Sequence, residues 1–304
     1  MNSQQTGPQK VSQDAHHLSH DSRSFLRSRI VRRFCQQRAA VAGLIGISVM
    51  ILASAVGPYL LRFDAVSVDI LGRFAPPLTN GHILGTDAIG RDIAARILIA
   101  GRVSLSIGLL AMAISIVIGT AVGLIGGFYG GRMGAFLMRI VDAFLSFPNI
   151  FLLLALASII RPDPPLLVII IAVTSWMEVA RIVYSETRSI RERDFILAAQ
   201  MVGLSERKIM TSEIVVNVTG PIMVAATLTV AHAIMLEAYV SFLGYGIQPP
   251  TPSWGNMLNG AQQYLGTAPW LAIFPGIAIT CAVLSFNFIG DGLRAALDSR
   301  SDRS

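Results

Sequence analysis

Six long apolar runs, separated by short polar stretches, organise the 304-residue chain. The first, Ala39 to Leu61, has 23 residues and no charge. That length spans a hydrocarbon layer of about 30 Å and exceeds a signal-peptide core, so an uncleaved transmembrane helix is expected. The second, Val103 to Gly131, is free of charge for 29 residues and ends in GGFYGG, a predicted turn. The third covers roughly Ile140 to Ile160 and is stopped by RPDPP, Arg161 to Pro165. The remaining three are about Leu166 to Tyr184, Pro221 to Leu243 and Trp270 to Gly290. Between them lie a mixed segment, residues 62–102, with Pro76 and Pro77, and a Gly-, Pro- and Trp-bearing segment, Gly244 to Pro269, without a single charge. Residues 1–38 and 293–304 are polar tails. The pattern predicts an all-α membrane protein with six transmembrane helices.

One polar insert interrupts the apolar series, Arg188 to Asn217, RSIRERDFILAAQMVGLSERKIMTSEIVVN. Ile196 to Val202 contains helix formers without Gly or Pro, and Gly203 follows where a helix end wants positive φ. Ser205 is placed to cap a second short helix over Glu206 to Met210. Ala198 and Ala199 are small enough for another protein to approach closely, with Phe195 and Val202 as apolar anchors on neighbouring turns. The same spacing also suits an amphipathic connector lying on the membrane surface.

Composition reinforces the membrane assignment, since 14% of residues are charged against about 25% in soluble domains. The net charge of +6 reads as orientation and not as nucleic-acid binding, because the arginines flank apolar runs. With the N-terminus inside, 18 of the 24 basic residues fall inside and six outside, which places both termini and the 188–217 insert in the cytoplasm. Two cysteines, Cys35 and Cys281, make no disulfide framework, and zinc-ligand spacing is missing. His16, His17 and His20 sit in the polar tail, so no metal site is expected. The chain has no G-x-x-x-x-G-K-[ST] loop, no G-x-S-x-G and no H-E-x-x-H, so no catalytic residue and no cofactor are predicted.

Ionisable residues within or beside the apolar runs are functional candidates, because charge is costly at membrane depth. They are Asp142, Glu178, Arg181, His232, Glu237 and Asp291. Arg139 with Asp142, and Glu178 with Arg181, have the spacing of local helical ion pairs. His232 either bonds a neighbouring helix or touches a solute. Glu237 lies toward the outer end of the fifth run, where it could line a gate or meet a partner subunit. LGTDAIGRD, from Leu84 to Asp92, and the proline-stiffened QPPTPSW, ending at Trp254, each have two readings. They form an outer docking surface through Asp87, Arg91, Asp92 and Trp254, or they are a helix cap at Thr86 or Asp87 and a plain anchored loop.

Five motifs in order, LGTDAIGRD, FPN after Asp142, the 188–217 insert, SFLGYGIQPPTPSWG and FNFIGDGLRAALD, resemble the binding-protein-dependent ABC importer permeases. The likeness is to the second permease subunit of dipeptide, oligopeptide and nickel importers. In the insert, Ala198, Ala199, Gly203 and Ile214 match the family's coupling loop, while Leu197 and Val216 stand where it has Glu and Pro. The resemblance implies a type I ABC importer permease fold, with a five-helix core over residues 103–292 plus the N-terminal helix. It implies ATPase coupling through Ala198, Ala199 and Gly203, a lever that our reading extends to Arg193, Asp194 and Phe195. Glu237 matches the family pattern and His232 has no counterpart in it, and both are candidates for the translocation path or gate. The implied partners are a homologous second permease subunit, two cytoplasmic ABC ATPases that hydrolyse ATP in place of this chain, and a periplasmic solute-binding protein. All would sit in or beside the lipid of a bacterial inner membrane. Di- or oligopeptides are the solute expected from the family, with nickel chelates and opine-like solutes as the alternatives. Two other readings stand beside it: a proton-coupled secondary transporter using Asp142, Glu178, His232 and Glu237, against which the missing internal repeats count, and a membrane scaffold.

Overall fold

The computed structural model describes residues 30–61, 63–160 and 162–297. Residues 1–29, which hold the His tract, the final residues 298–304, Arg62 and Arg161 lie outside the described residues. Every long element described is an α-helix: α1 (Arg38–Leu60), α2 (Ile93–Tyr129), α3 (Gly131–Leu145), α4 (Asn149–Ile160), α5 (Pro164–Arg191), α6 (Asp194–Met201), α7 (Val215–Phe242), α8 (Trp254–Leu258) and α9 (Trp270–Leu297). Among the described residues, five spans are long and apolar enough to cross a membrane, α7 together with the turns before it counting as one. The bent pair α3 and α4 makes a sixth if taken as one span. We call the end of the bundle that carries α6 the lower end, and the end that carries α8 the upper.

The central element is α2, which touches α1, α3, α5, α7, α8 and α9. Gly119, Gly123 and Gly127 repeat every four residues along it and face α5. A Cβ at these positions would lie 2.6 to 2.8 Å from the carbonyl oxygens of Trp176, Ala180 and Tyr184, so the two backbones meet directly. In a lipid solvent, where apolar side chains gain little from leaving the membrane, such small-residue seams supply the dispersion contacts that hold helices together.

The fourth and sixth spans run seven residues past their expected ends, to Arg191 and Leu297, and three further boundaries differ for a local reason. The second span starts at Ile93 and not at Val103, because Asp92 accepts a hydrogen bond from the Ala95 amide at 2.7 Å and caps the helix ten residues earlier. Arg96 and Arg102 are thereby drawn inside it. Arg102 is accommodated by α1, where Pro58 has no N–H to give the Ser54 carbonyl. The guanidinium donates to that carbonyl at 2.6 Å and to Ala55 O at 2.8 Å, and it stacks over Tyr59. The third span begins at Gly131 and bends by 76° at Ser146–Phe147–Pro148, where proline bars the helical conformation from the residue before it. The fifth continues through a π turn over Ile209–Ile214, so the helix crosses Val216 unbroken.

Candidate functional site

The 194–204 segment is held at the lower end by one fully buried side chain, Ile196, with Ala199 and Leu204 partly buried against the same cluster. Arg193 starts α6 from an extended backbone, and Asp194 sits in the first turn where the helix dipole favours an acid. Ile196 is fully buried among Ile190, Ile209, Ile214 and Val218. The helix closes with Leu204 N donating to Ala199 O at 3.2 Å and Gly203 N to Gln200 O at 3.0 Å, around Gly203 at φ +82°. This paired closure requires a left-handed residue, which glycine adopts without strain. The expected stop at Gly203 is therefore the observed geometry. The expected cap at Ser205 is not: its side chain makes no capping bond, and its carbonyl accepts from the Ile209 amide instead.

The rest of α6 faces outward. Met201 and Val202 are 90% and 83% exposed, Phe195 and Leu197 are also exposed, and Ala198 lies between them. Ala199 is half-buried against the layer beneath, so only one member of the small pair is open to a partner. Beside this face a cleft of about 740 Å³ is lined by Gly130, Tyr184, Arg188, Arg191 and Gln200.

At the upper end the polar groups turn inward. Glu237 is 0% exposed, and its carboxyl accepts from Ser104 Oγ and Ser241 Oγ, both at 2.8 Å, with Ser253 as a third hydroxyl partner. The same serines carry the loop: Ser104 Oγ accepts from Trp254 N at 3.2 Å and Ser241 Oγ from Ile247 N at 3.1 Å. One carboxyl thus ties α2 and α7 to the segment that leads into α8. Trp254 is buried, donating its indole N–H to Ile97 O at 3.1 Å. Neither Glu237 nor Trp254 presents a surface to another molecule.

LGTDAIGRD is likewise folded on itself. Asp92, which caps α2, also meets His82 Nδ1 at 2.7 Å, and Thr86 Oγ1 donates to Gly72 O while accepting from Ala75 N. Asp87 accepts from the Ile89 and Arg91 amides at 3.0 Å and from Arg91 Nε at 2.7 Å. Asp87 and Asp92 are buried, which corrects the docking role expected for them and for Trp254, and only Arg91 of that set retains partial exposure. The helix-start alternative fits the geometry, with Asp92 as the cap in place of Thr86 or Asp87.

The remaining ionisable candidates sort differently from their spacing. Asp142 pairs with Arg181 across α3 and α5, not with Arg139, and Glu178 is exposed. This correction has a simple cause, since two helices in contact offer a closer partner than the next turn does. His232 is half-buried and makes no hydrogen bond to a described residue, and Asp291 is exposed. The serines at 104, 241 and 253 and the arginine at 96 were not singled out by sequence. The spacing of Glu237 and Ser241, one helical turn apart, was the available signal for the network.

Comparison with known proteins gives two family matches. Residues 119–303 match the binding-protein-dependent transport system inner membrane component, and residues 24–77 match the N-terminal transmembrane domain of oligopeptide transport permease C. The chain is 38% identical over 270 residues to an oligopeptide transport system permease protein of Haemophilus influenzae, covering 88% of this chain and 87% of the relative. It is 39% identical to a dipeptide transport system permease protein of Alkalihalophilus pseudofirmus, covering 87% of each. It is 37% identical to an oligopeptide transport system permease protein of Escherichia coli, covering 88% of this chain and 89% of the relative.

Proposed function

Because this chain belongs to the family of binding-protein-dependent transport system inner membrane components, we propose that it is a pore-forming permease subunit of an ATP-driven importer of di- or oligopeptides. It works in a bacterial inner membrane with both termini in the cytoplasm, paired with a homologous permease, two ATPases and a solute-binding protein. It performs no catalysis itself. The observation that carries the mechanism is α6: a short helix closed by Gly203, held by Ile196 and exposing Phe195, Ala198, Met201 and Val202. Such a face suits a groove on a partner, and its single buried anchor sits among residues of α5 and α7. Movement imposed on α6 then reaches the two spans that carry it, as a rigid-body change between two packings. Arg193 and Asp194 flank the face as polar rim contacts.

The relay reading has weaker support, since Asp142 is engaged by Arg181 and Glu237 is enclosed by hydroxyls. The test is uptake of a labelled dipeptide by proteoliposomes holding the assembled transporter and its binding protein. ATP should drive accumulation, and a protonophore at constant ATP should leave it unchanged. Uptake abolished by the protonophore would reject the proposal.

A further inference from the structure

A second cleft, of about 290 Å³, opens at the upper end between the LGTDAIGRD segment and the turn after α8. Its charged lining is Asp87, Arg91 and Arg96, and its polar wall is Asn256, Asn259, Gln263 and Tyr264. Two guanidinium groups therefore share one carboxylate. Asp87 spends Oδ1 on the Ile89 and Arg91 amides and Oδ2 on Arg91 Nε, and Arg96 Nε is 3.8 Å from that same Oδ2, beyond hydrogen-bond distance. The other nearby acids are committed elsewhere, Asp92 to His82 and the α2 cap, and Asp69 to the Leu71 amide.

Arg96 is the unusual member. Its side chain is 6% exposed, and of its five N–H donors one makes a single long bond, 3.5 Å, to Ala65 O. A buried guanidinium without a full set of acceptors is costly, and here the guanidinium's residue lines an open cleft. The walls around it are stiff. The Asn256 side chain donates to Ile247 O and Thr251 O and accepts from Ser253 N, and Asn259 donates to Phe242 O. Gln263 and Tyr264 keep their side-chain donors free of any described partner at the mouth.

We infer that this cleft is a carboxylate site, with Arg96 and Arg91 supplying charge-assisted donors and Gln263 and Tyr264 completing the set. A planar carboxylate matches the guanidinium fork and supplies the compensating charge. The volume admits one carboxyl-bearing end and not a whole oligopeptide. Two sources carry this chemistry at the outer face, the terminal carboxylate of a solute or an acidic side chain of the docked binding protein. Which source applies rests on the import reading; the site itself does not.

The test is chemical protection of the assembled transporter in nanodiscs, without ATP. Phenylglyoxal modification of Arg96 is read by mass spectrometry, with exposed Arg132 at the lower end as internal control. The probes are alanyl-alanine, its C-terminal amide, and the binding protein with native or amidated carboxylates. Protection of Arg96 by the free dipeptide and not by its amide supports a solute carboxylate. Protection by the native binding protein alone, lost on amidation, supports a protein carboxylate. Equal protection by free and amidated probes, or none relative to Arg132, overturns the site. Gln263→Glu, at an exposed position, places an internal carboxylate at the mouth and should weaken protection about tenfold, a change of about 1.4 kcal/mol. Unchanged protection in that variant also overturns it. Because ATP is absent, failure of the import reading would leave the protection result standing.

Discussion

The upper end of the bundle and the α6 segment at the lower end treat their side chains in opposite ways. Above, Glu237, Asp92, Asp87 and Trp254 are folded inward and satisfied within the chain. Below, Met201, Val202, Phe195 and Leu197 are apolar and yet face outward, with Ile196 as the one fully buried residue of the helix. The first arrangement fixes a shape, since a buried polar network holds only when every member has its partner. The second offers a contact, since exposed apolar groups clustered on a short helix have nothing of their own chain to cover them. The buried Glu237 network therefore serves as scaffolding, and the exposed apolar face of α6 is the place where we propose that a partner acts.

The contrast is broken or sharpened by substitution, beginning with the largest effect on the fold. Glu237→Ala removes the acceptor of three hydroxyls and leaves a cavity between α2 and α7. It should cost about 3 kcal/mol or more, read as a lowered Tm in detergent, with Glu237→Gln between it and the parent because one acceptor oxygen remains. A Tm unchanged in Glu237→Ala would remove the scaffold role of the upper network. Asp92→Ala loses the α2 cap and the His82 partner, for an expected cost of about 1 to 2 kcal/mol, most of it recovered in Asp92→Asn.

At the lower end the expected effects on the fold shrink while those on coupling grow. Gly203 has open space around it, so Gly203→Val meets no clash, and its cost is backbone strain at φ +82° of about 1 to 2 kcal/mol. That strain is confined to a short segment that is mostly exposed, so Tm should move little while ATP-driven uptake is lost at normal chain abundance. Met201→Asp with Val202→Asp should change stability by less than about 0.5 kcal/mol, as surface substitutions do. Copurification of the ATPases should nevertheless fall. Retained copurification with retained uptake would show that this face is not the contact.

Much of this was legible in the sequence, and the residues show why the rest was not. The spans follow from runs of apolar residues, a local property, and the stop at Gly203 follows from one residue's freedom at positive φ. The family likeness lay in motif order. The failures are tertiary. LGTDAIGRD is charged and lies between spans, which reads as surface, but its acids are used by amides and side chains of its own loop. Arg102 looked like a loop residue because its acceptor is a carboxyl-free backbone oxygen released by Pro58, 44 residues away in the chain. Asp142 found Arg181 and not Arg139 because α3 packs on α5, which no spacing within one helix reveals.

The central claim is that the outward face of α6 receives a partner ATPase and transmits its motion. The direct measurement uses Ala198, which the structure leaves exposed, and not its half-buried neighbour Ala199. Cys35 and Cys281 are both exposed and must first be replaced. A single Ala198→Cys chain in the assembled transporter, treated with a short bifunctional crosslinker, should capture an ATPase subunit, and the crosslink should block ATP-driven uptake. Capture of this chain's own helices alone, with uptake undiminished, would contradict the account.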